Sequence, residues 1–253
     1  MTSQYNQSGD ATWGDLSPEV LLNRATCLLW DFDGPLCRLF ARHPARDIAV
    51  TLCDLLVDLG LPAQAVEWSE ATDPHRILRS ADLLSVFPLL ERRMAEEEIE
   101  AASKAEPTLG AAKFAELMHR SGRLLAITTN NAPEAVDNYL NAHRLKDLFG
   151  PRIFGRRTDD PRWMKPHPDC LDRAVRELGA ARDRCLMIGD SVMDAMAADA
   201  AGIPFLGYAR NEERSRRLRE GAPAPHGVIG MGPLITAALN VTALPGPPPG
   251  PGS

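Results

Sequence analysis

Two aspartates one residue apart, Asp31 and Asp33, follow an unbroken apolar run near the start of the chain. An apolar run closed by Gly34-Pro35 is typical of a buried strand in a parallel sheet. Because side chains of an extended segment alternate between faces, both carboxylates point the same way at the carboxyl end of this strand. Two carboxylates this close repel each other unless one is protonated or a cation lies between them. The pair predicts a site that holds a metal ion and moves a proton; the alternative is an ordinary Asp-Gly turn.

A second acidic cluster, in the segment Gly189-Asp190-Ser191-Val192-Met193-Asp194, follows another apolar strand pattern. The glycine allows an immediate turn from strand to helix, and Asp190 and Asp194 are four residues apart, which predicts one helical face. Carboxylates beside an oxygen-rich site suit Mg²⁺, which prefers octahedral oxygen ligation. The alternative is a helix-capping aspartate followed by a surface aspartate.

Two further polar positions stand at predicted element boundaries, Thr129-Asn130 after a strand and Lys165 before a proline and a helix. A hydroxyl and backbone N–H groups at a helix start suit a phosphoryl oxygen. A lysine can neutralise phosphate charge and keep a carboxylate ionised. Taken singly, each position is explained equally well by a helix N-cap or by a solvated surface lysine.

Composition limits the classes of function that these residues could serve. The 253 residues are 44% hydrophobic and 25% charged, as in a soluble globular protein of one or two domains. The net charge of −6 makes nucleic acid and anionic membranes poor partners. No secretory signal and no apolar run of about 18 residues is visible, so we predict a cytoplasmic protein.

The five cysteines are odd in number and scattered, which argues against a disulfide framework and against a zinc site. Cys37 lies just past the aspartate pair, and a redox role for it stays open because sequence does not report its pKa.

The chain alternates apolar strand and amphipathic helix patterns except in one long block. A first strand is predicted at 27–32, and strand and helix patterns alternate again after residue 107. Repeated βα units predict a parallel sheet with helices on both faces. Between residues 36 and 107 we predict helices only, at 45–59, from 73 to about 87, and at 89–105, with 91–100 as a solvated charged face. One crossover rarely needs so many residues, which indicates a separate cap.

The resulting fold class is α/β: a Rossmann-like three-layer core with a parallel sheet and an inserted α-helical cap domain. We predict that residues 1–16 form a disordered N-terminus and residues 241–253 a disordered Pro/Gly tail. The core consists of residues 17–36 and 106–240, and the helical cap consists of residues 37–105.

The ordered set Asp31-Phe32-Asp33-Gly34, Thr129-Asn130, Lys165-Pro166 and Gly189-Asp190-Ser191-x-x-Asp194 resembles the haloacid dehalogenase (HAD) superfamily of hydrolases. The resemblance covers about residues 26–240. Lys165-Pro166-His167-Pro168 and Gly202-Ile203-Pro204 are similar to the phosphoglycolate-phosphatase-like branch. Each motif is weak alone, but four motifs in order at the expected element boundaries are specific.

The resemblance implies a role for each matching residue. Asp31 would be the nucleophile that forms an aspartyl-phosphate, and Asp33 would act as acid and then base. Thr129, Asn130 and Lys165 would bind the phosphoryl group. The metal ligands would be Asp31, Asp33 through its carbonyl, Asp190 and Asp194, the last directly or through water, with Mg²⁺ as cofactor. Pro35 departs from the Thr or Val that is usual in the family and puts the geometry of the loop in doubt.

The function implied is a Mg²⁺-dependent phosphatase that hydrolyses a small phosphorylated metabolite, as a monomer or homodimer. A sugar phosphomutase of the same fold, or a non-catalytic binding or regulatory protein, is the alternative. Substrate specificity is expected in the cap, where His75, Arg76 and Arg79 follow Asp73-Pro74. A solvated basic face explains these three residues equally well.

Overall fold

Six parallel strands form the central sheet, and β1 lies in its middle between β4 and β6. The computed structural model describes residues 16–223 and 226–243, so most of the two segments predicted to be disordered lies outside the described residues. The spatial order is β5-β4-β1-β6-β7-β8. The strands are β1 (Cys27–Trp30), β2 (Cys37–Arg38), β3 (Glu106–Pro107), β4 (Leu124–Thr128), β5 (Ile153–Phe154), β6 (Cys185–Gly189), β7 (Phe205–Tyr208) and β8 (His226–Ile229).

Helices cover both faces of this sheet and also make up most of the inserted block. They are α1 (Pro18–Arg24), α2 (Ala45–Asp58), α3 (Pro62–Trp68), α4 (Pro74–Leu78), α5 (Phe87–Lys104), α6 (Ala111–Arg120), α7 (Pro133–Ala142), α8 (Lys146–Phe149), α9 (Asp169–Leu178), α10 (Val192–Ala201), α11 (Glu212–Gly221) and α12 (Met231–Leu239). Short 3₁₀ turns lie at Ala81–Leu83, Pro161–Trp163 and Arg182–Arg184.

Strand β1 shows why the core has three layers. Leu28 and Trp30 pack in one apolar cluster with residues of α6, α7 and α12, whereas Cys27 and Leu29 pack in a second cluster with residues of α9 and α10. All four side chains are fully buried. Alternate residues of a strand face opposite sides, so an apolar run without polar interruption is what a sheet covered on both faces requires. The predicted three-layer α/β core is confirmed.

The inserted block has an apolar cluster of its own, contributed by α2, α4 and α5. Ile48, Leu52 and Leu56 of α2 pack against Ile77 of α4 and Leu90 of α5. The predicted period of α2 agrees with this face. A helical block with its own buried cluster fits a cap. It meets the core at Met164, which packs in this cluster, and along α5, whose Ala101 and Ala102 pack in the core cluster of α6 and α7.

Strands β2 and β3 correct the prediction that no strand occurs between residues 36 and 107. They pair antiparallel, with Cys37 opposite Pro107 and Arg38 opposite Glu106, and thereby join the two chain connections of the helical block. Two-residue strands are too short to show an alternating pattern, so no periodicity in the sequence predicts them.

The helices of the block also differ in part from the prediction. A single helix was expected from Asp73-Pro74 to about residue 87, but α4 ends at Leu78 and the 3₁₀ turn Ala81–Leu83 follows. Helix α3 was not predicted. The segment 91–100 is not a uniformly solvated face, because Glu91 and Glu98 of α5 are buried. No described helix is long and apolar enough to span a membrane.

Candidate active site

The register of the sheet brings the predicted site residues together at one edge. Trp30, the last residue of β1, is aligned with Ile127 of β4 and with Ile188 of β6. Asp31 follows directly, and its backbone N–H donates to the carbonyl of Ile188 at 2.9 Å. The residues that follow these three strands therefore lie side by side. Such a carboxyl edge is where open α/β sheets bind their ligands.

Lys165 connects two of the aspartates. Its Nζ donates to Asp31 Oδ1 at 3.0 Å, to Asp194 Oδ1 at 2.6 Å and to the carbonyl of Thr128 at 2.6 Å. All three N–H bonds of the ammonium group thus have acceptors. Burial acts against the charged form of Lys165, but the charges of Asp194 and Asp31 outweigh it and raise its pKa. Lys165 is therefore a fixed cation beside Asp31.

Asp31 and Asp33 have raised pKa values. Burial, followed by the charge of Asp194, raises the pKa of Asp31 to about 7 against the opposing effect of Lys165. Burial is also the main reason that the pKa of Asp33 is raised, although a hydrogen bond from the backbone N–H of Leu39 at 2.8 Å opposes it. A carboxyl with a raised pKa can hold a proton near neutral pH, which a general acid needs.

The predicted placement of Asp190 and Asp194 on one helical face is wrong. Helix α10 begins at Val192, with Ser191 as its N-cap, so Asp190 precedes the helix. Asp194 is the third helical residue and forms a capping box with Ser191, whose N–H and hydroxyl donate to Asp194 Oδ2 at 3.0 and 2.7 Å. The capping chemistry of Ser191 decided where the helix starts, and the four-residue spacing does not reveal it.

Two glycines allow the close approach of these acidic groups. Gly34 has φ of +120°, and a Cβ on it would lie 2.4 Å from Asp190 Cγ. A Cβ on Gly189 would lie 2.5 Å from Asp194 Cβ. The loop after Asp33 is closed by bonds from Gly34 N–H to the carbonyl of Cys37 at 2.6 Å and from the Thr108 hydroxyl to the carbonyl of Gly34 at 2.6 Å. Neither bond needs an N–H from residue 35, so Pro35 is compatible with this loop.

Thr129 and Asn130 lie at the same edge, but their side chains have protein partners. The Thr129 hydroxyl donates to Asn131 Oδ1 at 2.8 Å and accepts from the Asn131 N–H at 3.2 Å. The Asn130 side chain accepts from the backbone N–H of Lys165 at 2.7 Å and donates to the carbonyl of Lys165 at 3.3 Å. Asn130 thus holds Lys165 in place.

These residues line a cavity of about 170 Å³ that the helical block also reaches. Asp73, His75 and Arg79 contribute from around α4. Of the three residues of the helical block predicted to determine specificity, His75 and Arg79 line the cavity and Arg76 does not. The Arg76 guanidinium lies 5.9 Å from the centre of the Trp68 ring. The cavity walls are Asp31, Asp33, Asp73, His75, Arg79, Thr129, Asn130, Asn131, Lys165, Asp190, Ser191, Met193 and Asp194.

The polar atoms of His75 and Arg79 are already engaged. His75 Nε2 lies 3.1 Å from Glu98 Oε1, and Nδ1 lies 3.6 Å from Asp73 Oδ1. Burial disfavours the charged ring, but Asp73 and Glu98 outweigh this effect and raise the pKa of His75 to about 9. Arg79 Nη1 donates to the carbonyl of Lys165 at 2.9 Å.

A buried charge network that the sequence did not predict joins α5 to the core. We call its members Glu91, Glu98, His75 and Arg156 the cap–core clamp. Glu98 is fully buried; Arg156 Nη2 lies 2.9 Å from Glu98 Oε2 and 3.2 Å from Glu91 Oε1. Glu98 also accepts from Asn131 Nδ2 at 2.8 Å and from the N–H of Ala132 at 2.9 Å. In the sequence these glutamates stand in a charged run and give no signal of burial.

Three comparisons with known proteins agree on one relationship. Residues 26–202 match the family model of haloacid dehalogenase-like hydrolases. Over 211 residues the chain is 30% identical to a phosphoglycolate phosphatase of Salmonella typhimurium strain LT2, which covers 83% of this chain and 70% of that protein. The chain belongs to the haloacid dehalogenase-like hydrolase family.

Solved structures support the same fold. The hydrolase superimposes with a TM-score of 0.62 on a predicted phosphatase from Clostridium acetobutylicum, at 16% identity over 86% of this chain and 99% of that chain. A CbbY protein from Rhodobacter sphaeroides in complex with phosphate gives a TM-score of 0.56, at 19% identity over 83% of this chain and 99% of that one. The predicted family, the branch similar to phosphoglycolate phosphatases and the class of enzyme are confirmed.

The acidic residues of this hydrolase fit the divalent metal that its family implies. Asp31, Asp190 and Asp194 each offer a carboxylate oxygen, and these atoms lie within 4.8 Å of one another. Burial and the charge of Asp31 raise the pKa of Asp190 well above its usual range, although Arg214 Nη1 lies 2.5 Å from its Oδ2. An excess of buried carboxylates with only oxygen donors is the environment that Mg²⁺ prefers.

Cys37 does not share the exposed, electropositive surroundings of a reactive thiol. It is buried, and burial together with the charges of Asp33 and Asp31 raises its pKa well above the usual range. Its Sγ donates to the carbonyl of Phe32 at 3.7 Å. A neutral, buried thiol is a structural group, so the geometry gives no support to a redox role.

Proposed function

We propose that the hydrolase is a Mg²⁺-dependent phosphatase that acts on a small phosphomonoester through an aspartyl-phosphate. The observation that carries this proposal is the position of Asp31, which faces the cavity at the end of β1 with Lys165 Nζ 3.0 Å from its Oδ1. A carboxylate held by a fixed cation has one oxygen oriented by the lysine and the other available to attack phosphorus. Similarity to phosphoglycolate phosphatases gives the same reaction class.

Asp33 is proposed as the proton donor and acceptor. It lines the same cavity as Asp31, and burial raises its pKa. In the first step Asp33 gives its proton to the leaving oxygen as the bond from phosphorus to that oxygen breaks. In the second step the ionised Asp33 takes a proton from the water that attacks the aspartyl-phosphate, which restores both aspartates and releases phosphate.

Lys165 and Asp190 are proposed to manage charge around the phosphoryl group. The three N–H bonds of Lys165 have protein acceptors, so Lys165 acts on the phosphate as a nearby positive charge and favours the ionised form of Asp31. Asp31 and Asp190 would hold Mg²⁺, with the Asp33 carbonyl, and Asp194 would hold it through water, because both Asp194 oxygens already accept hydrogen bonds. The bound ion reduces the repulsion between carboxylates and phosphate.

Replacement of Asp31 by asparagine tests the proposed nucleophile. With p-nitrophenyl phosphate and Mg²⁺ we expect Asp31→Asn to lower kcat by about 10⁴-fold or more, since no bond to phosphorus can form. The matched control is Asp58→Asn, an exposed aspartate on α2, which should retain parental activity. Intact-mass analysis of rapidly quenched parent should show a phosphorylated species that Asp31→Asn lacks. Equal turnover by parent and Asp31→Asn would refute the proposal.

Asp33→Asn tests the proton-transfer role. A general acid contributes about 10²–10⁴-fold when the leaving group is basic. We therefore expect a larger loss of kcat for an alkyl phosphate than for p-nitrophenyl phosphate, whose leaving group needs little protonation. Equal losses for both would contradict the assignment. Transfer of phosphate to a second sugar hydroxyl, without release of inorganic phosphate, would instead indicate a phosphomutase.

A further inference from the structure

A second cavity of about 190 Å³ adjoins the reaction cavity, and both contain Asp33 and Asp190 in their walls. Its other walls come from the loop and strand after Asp33, from the end of β7, from the connection that follows and from α11. Three arginines line it, Arg38, Arg210 and Arg214, together with Phe40 and Tyr208. We call this space the arginine cavity. The proposed acid Asp33 thus stands between two binding spaces.

Arg210 and Arg214 differ in their partners from the later basic residues of α11. Arg216 and Arg217 pair with Glu213 on the surface of the helix. Arg214 instead reaches Asp190, and Arg210 has no acceptor among the described residues. Arg210, which is exposed, and the partly buried Arg214 therefore supply positive charge beside the acid.

The cations of the helical block are less available to a substrate than those of the arginine cavity. His75 is held by Asp73 and Glu98, and Arg79 donates to the carbonyl of Lys165. Arg38 is paired with Glu106 but is half exposed. Charge-assisted hydrogen bonds from arginine N–H groups are strong contacts to an anion. Arg210, which has no acceptor among the described residues, and Arg214, whose Nη1 alone is engaged there by Asp190, are therefore the better candidates to bind one.

We propose that the arginine cavity binds a second anionic group of the substrate, carried on the alcohol portion beyond the leaving oxygen. This inference rests on the proposed function, because it needs the phosphoryl group beside Asp31 and the leaving oxygen beside Asp33. A cavity of about 190 Å³ suits a small anionic group, a carboxylate or a phosphate with few carbons. The substrate class is a compact phosphomonoester with a second anion.

Substrates matched in shape test this binding. We would compare kcat/KM for the phosphomonoesters of glycolate and of 3-hydroxypropionate with kcat/KM for the corresponding carboxamides, and would compare 1,3-propanediol bisphosphate with the monophosphate. We expect at least about a tenfold preference for the anionic member of a pair, since one charge-assisted hydrogen bond supplies that factor. A preference within the carboxylate pairs alone would identify the bound anion as a carboxylate, and a preference within the bisphosphate pair alone would identify it as a phosphate. Either result supports the inference. Equal kcat/KM within every pair would overturn the inference while leaving the phosphatase proposal intact.

Variants locate the preference. Arg210→Gln and Arg214→Gln should each reduce the ratio of kcat/KM between the anionic and neutral members by about tenfold, mainly through KM of the anionic substrate. Arg217→Gln removes the same charge from the exposed face of α11 and should keep the parental ratio. Retention of the full ratio in both Arg210→Gln and Arg214→Gln would place the anion elsewhere and refute the inference.

A binding measurement separates failure of this inference from failure of the proposed function. 3-Phosphonopropionate and its carboxamide cannot be hydrolysed, and calorimetry gives their Kd for parent, Arg210→Gln and Arg217→Gln. Tighter binding of the acid by about tenfold, lost only in Arg210→Gln, supports the anion site even if no phosphomonoester is turned over. Equal Kd values for acid and carboxamide in the parent would overturn the site even if the enzyme is an active phosphatase.

Discussion

The catalytic cluster and the cap–core clamp are both buried groups of charged side chains, but their balance of charge is opposite. The clamp sets the cations Arg156 and His75 against two glutamates. The catalytic cluster places one buried lysine among several carboxylates, and its members are Asp31, Asp33, Lys165, Asp190 and Asp194. Protein side chains alone balance the charges of the clamp, whereas the catalytic cluster has more carboxylates than cations.

The pKa directions of Glu98, Asp31 and Asp190 show this difference, whereas burial raises the pKa of Glu91 against the opposing charge of Arg156. In the clamp, burial would raise the pKa of Glu98, but Arg156 and His75 outweigh it and lower the pKa to about 2. In the cluster, burial and neighbouring carboxylates raise the pKa of Asp31 to about 7 and that of Asp190 well above its usual range. A carboxylate with a lowered pKa stabilises the fold as an ion, and one with a raised pKa favours binding of a proton or a metal.

The difference separates two uses of buried charge in one protein. Glu98 has partners on both sides of the boundary between the helical block and the core, namely His75 of α4 and Arg156 and Asn131 of the core. Removal of one member would leave a buried charge unpaired. The catalytic cluster leaves charge uncompensated where a ligand is needed. Removal of a carboxylate should therefore lower the free energy of unfolding in the clamp, but should not lower it in the metal-free catalytic cluster.

The largest effect on stability is expected for Glu98→Gln. It leaves Arg156 and His75 without a buried counter-charge, and loss of one partner of a buried ion pair costs about 3–5 kcal/mol. Urea denaturation monitored by circular dichroism would measure the change. Glu100→Gln on the same helix removes only an exposed pair with Lys104 and should leave the free energy of unfolding close to that of the parent. A Glu98→Gln protein as stable as Glu100→Gln would show that the clamp is not stabilising.

The clamp should also give stability a defined pH window. The pKa of His75 is raised to about 9, so its contribution is complete below the unfolded value of about 6.5 and is lost as pH rises through 9. The pKa of Glu98 is lowered to about 2, so its contribution is complete above about 4.5 and is lost as pH falls through 2. The clamp is therefore fully effective from about pH 4.5 to 6.5.

His75→Gln isolates the alkaline side of this window. A pKa rise from about 6.5 to 9 corresponds to about 3 kcal/mol. We expect the difference in free energy of unfolding between parent and His75→Gln to shrink by up to about that amount from pH 6.5 to 9.5. His119→Gln, at an exposed histidine of α6, should show no such trend. A constant difference between parent and His75→Gln would contradict the raised pKa.

The catalytic cluster was largely predictable from sequence because its members follow strands. An apolar run fixes the strand, the strand fixes its carboxyl end, and parallel neighbours bring Asp31, Thr129 and Asp190 to one edge. The side-chain partners were not predictable. The bond between Asn130 and the backbone of Lys165 joins residues 35 positions apart, and no local pattern reports it.

The buried clamp could not be predicted from the sequence, for a physical reason. Glu91 and Glu98 lie in a run of charged residues, and their burial depends on Arg156, which stands in a polar loop far along the chain. Local polarity predicts exposure correctly for most glutamates and fails where a distant cation compensates the charge. The arginine cavity was missed likewise, since Arg210 and Arg214 stand in a charged run and only the fold brings them beside Asp33 and Asp190.

Metal binding at the catalytic cluster should raise the free energy of unfolding, whereas the clamp is balanced without an added ion. Mg²⁺ at about 100 times its Kd adds about 2.7 kcal/mol to the free energy of unfolding. Thermal or urea unfolding with Mg²⁺ and with excess EDTA would measure this gain in the parent. Asp190→Asn should lose the gain and, in EDTA, be at least as stable as the parent, because one of the repelling carboxylates is removed. A parent whose stability is unaffected by Mg²⁺ would contradict the proposed metal site.

The smallest effect is expected for Asn130→Ala, which weakens the cluster without changing its charge. Asn130 holds the backbone of Lys165 at both its N–H and its carbonyl, so its loss should misplace Nζ and lower kcat/KM by about tenfold, or about 1.4 kcal/mol. Asn138→Ala, at an exposed position of α7, is the matched control.

A double-mutant cycle shows whether Asn130 acts through Lys165. In a Lys165→Ala background the effect of Asn130→Ala should fall to less than about twofold, because the side chain that it positions is already absent. Undiminished loss in that background would instead indicate that Asn130 contacts the substrate directly. A diminished effect would set Asn130 apart from the cap–core clamp, because the clamp joins two parts of the fold, whereas Asn130 would act in the catalytic cluster only through the lysine that it holds.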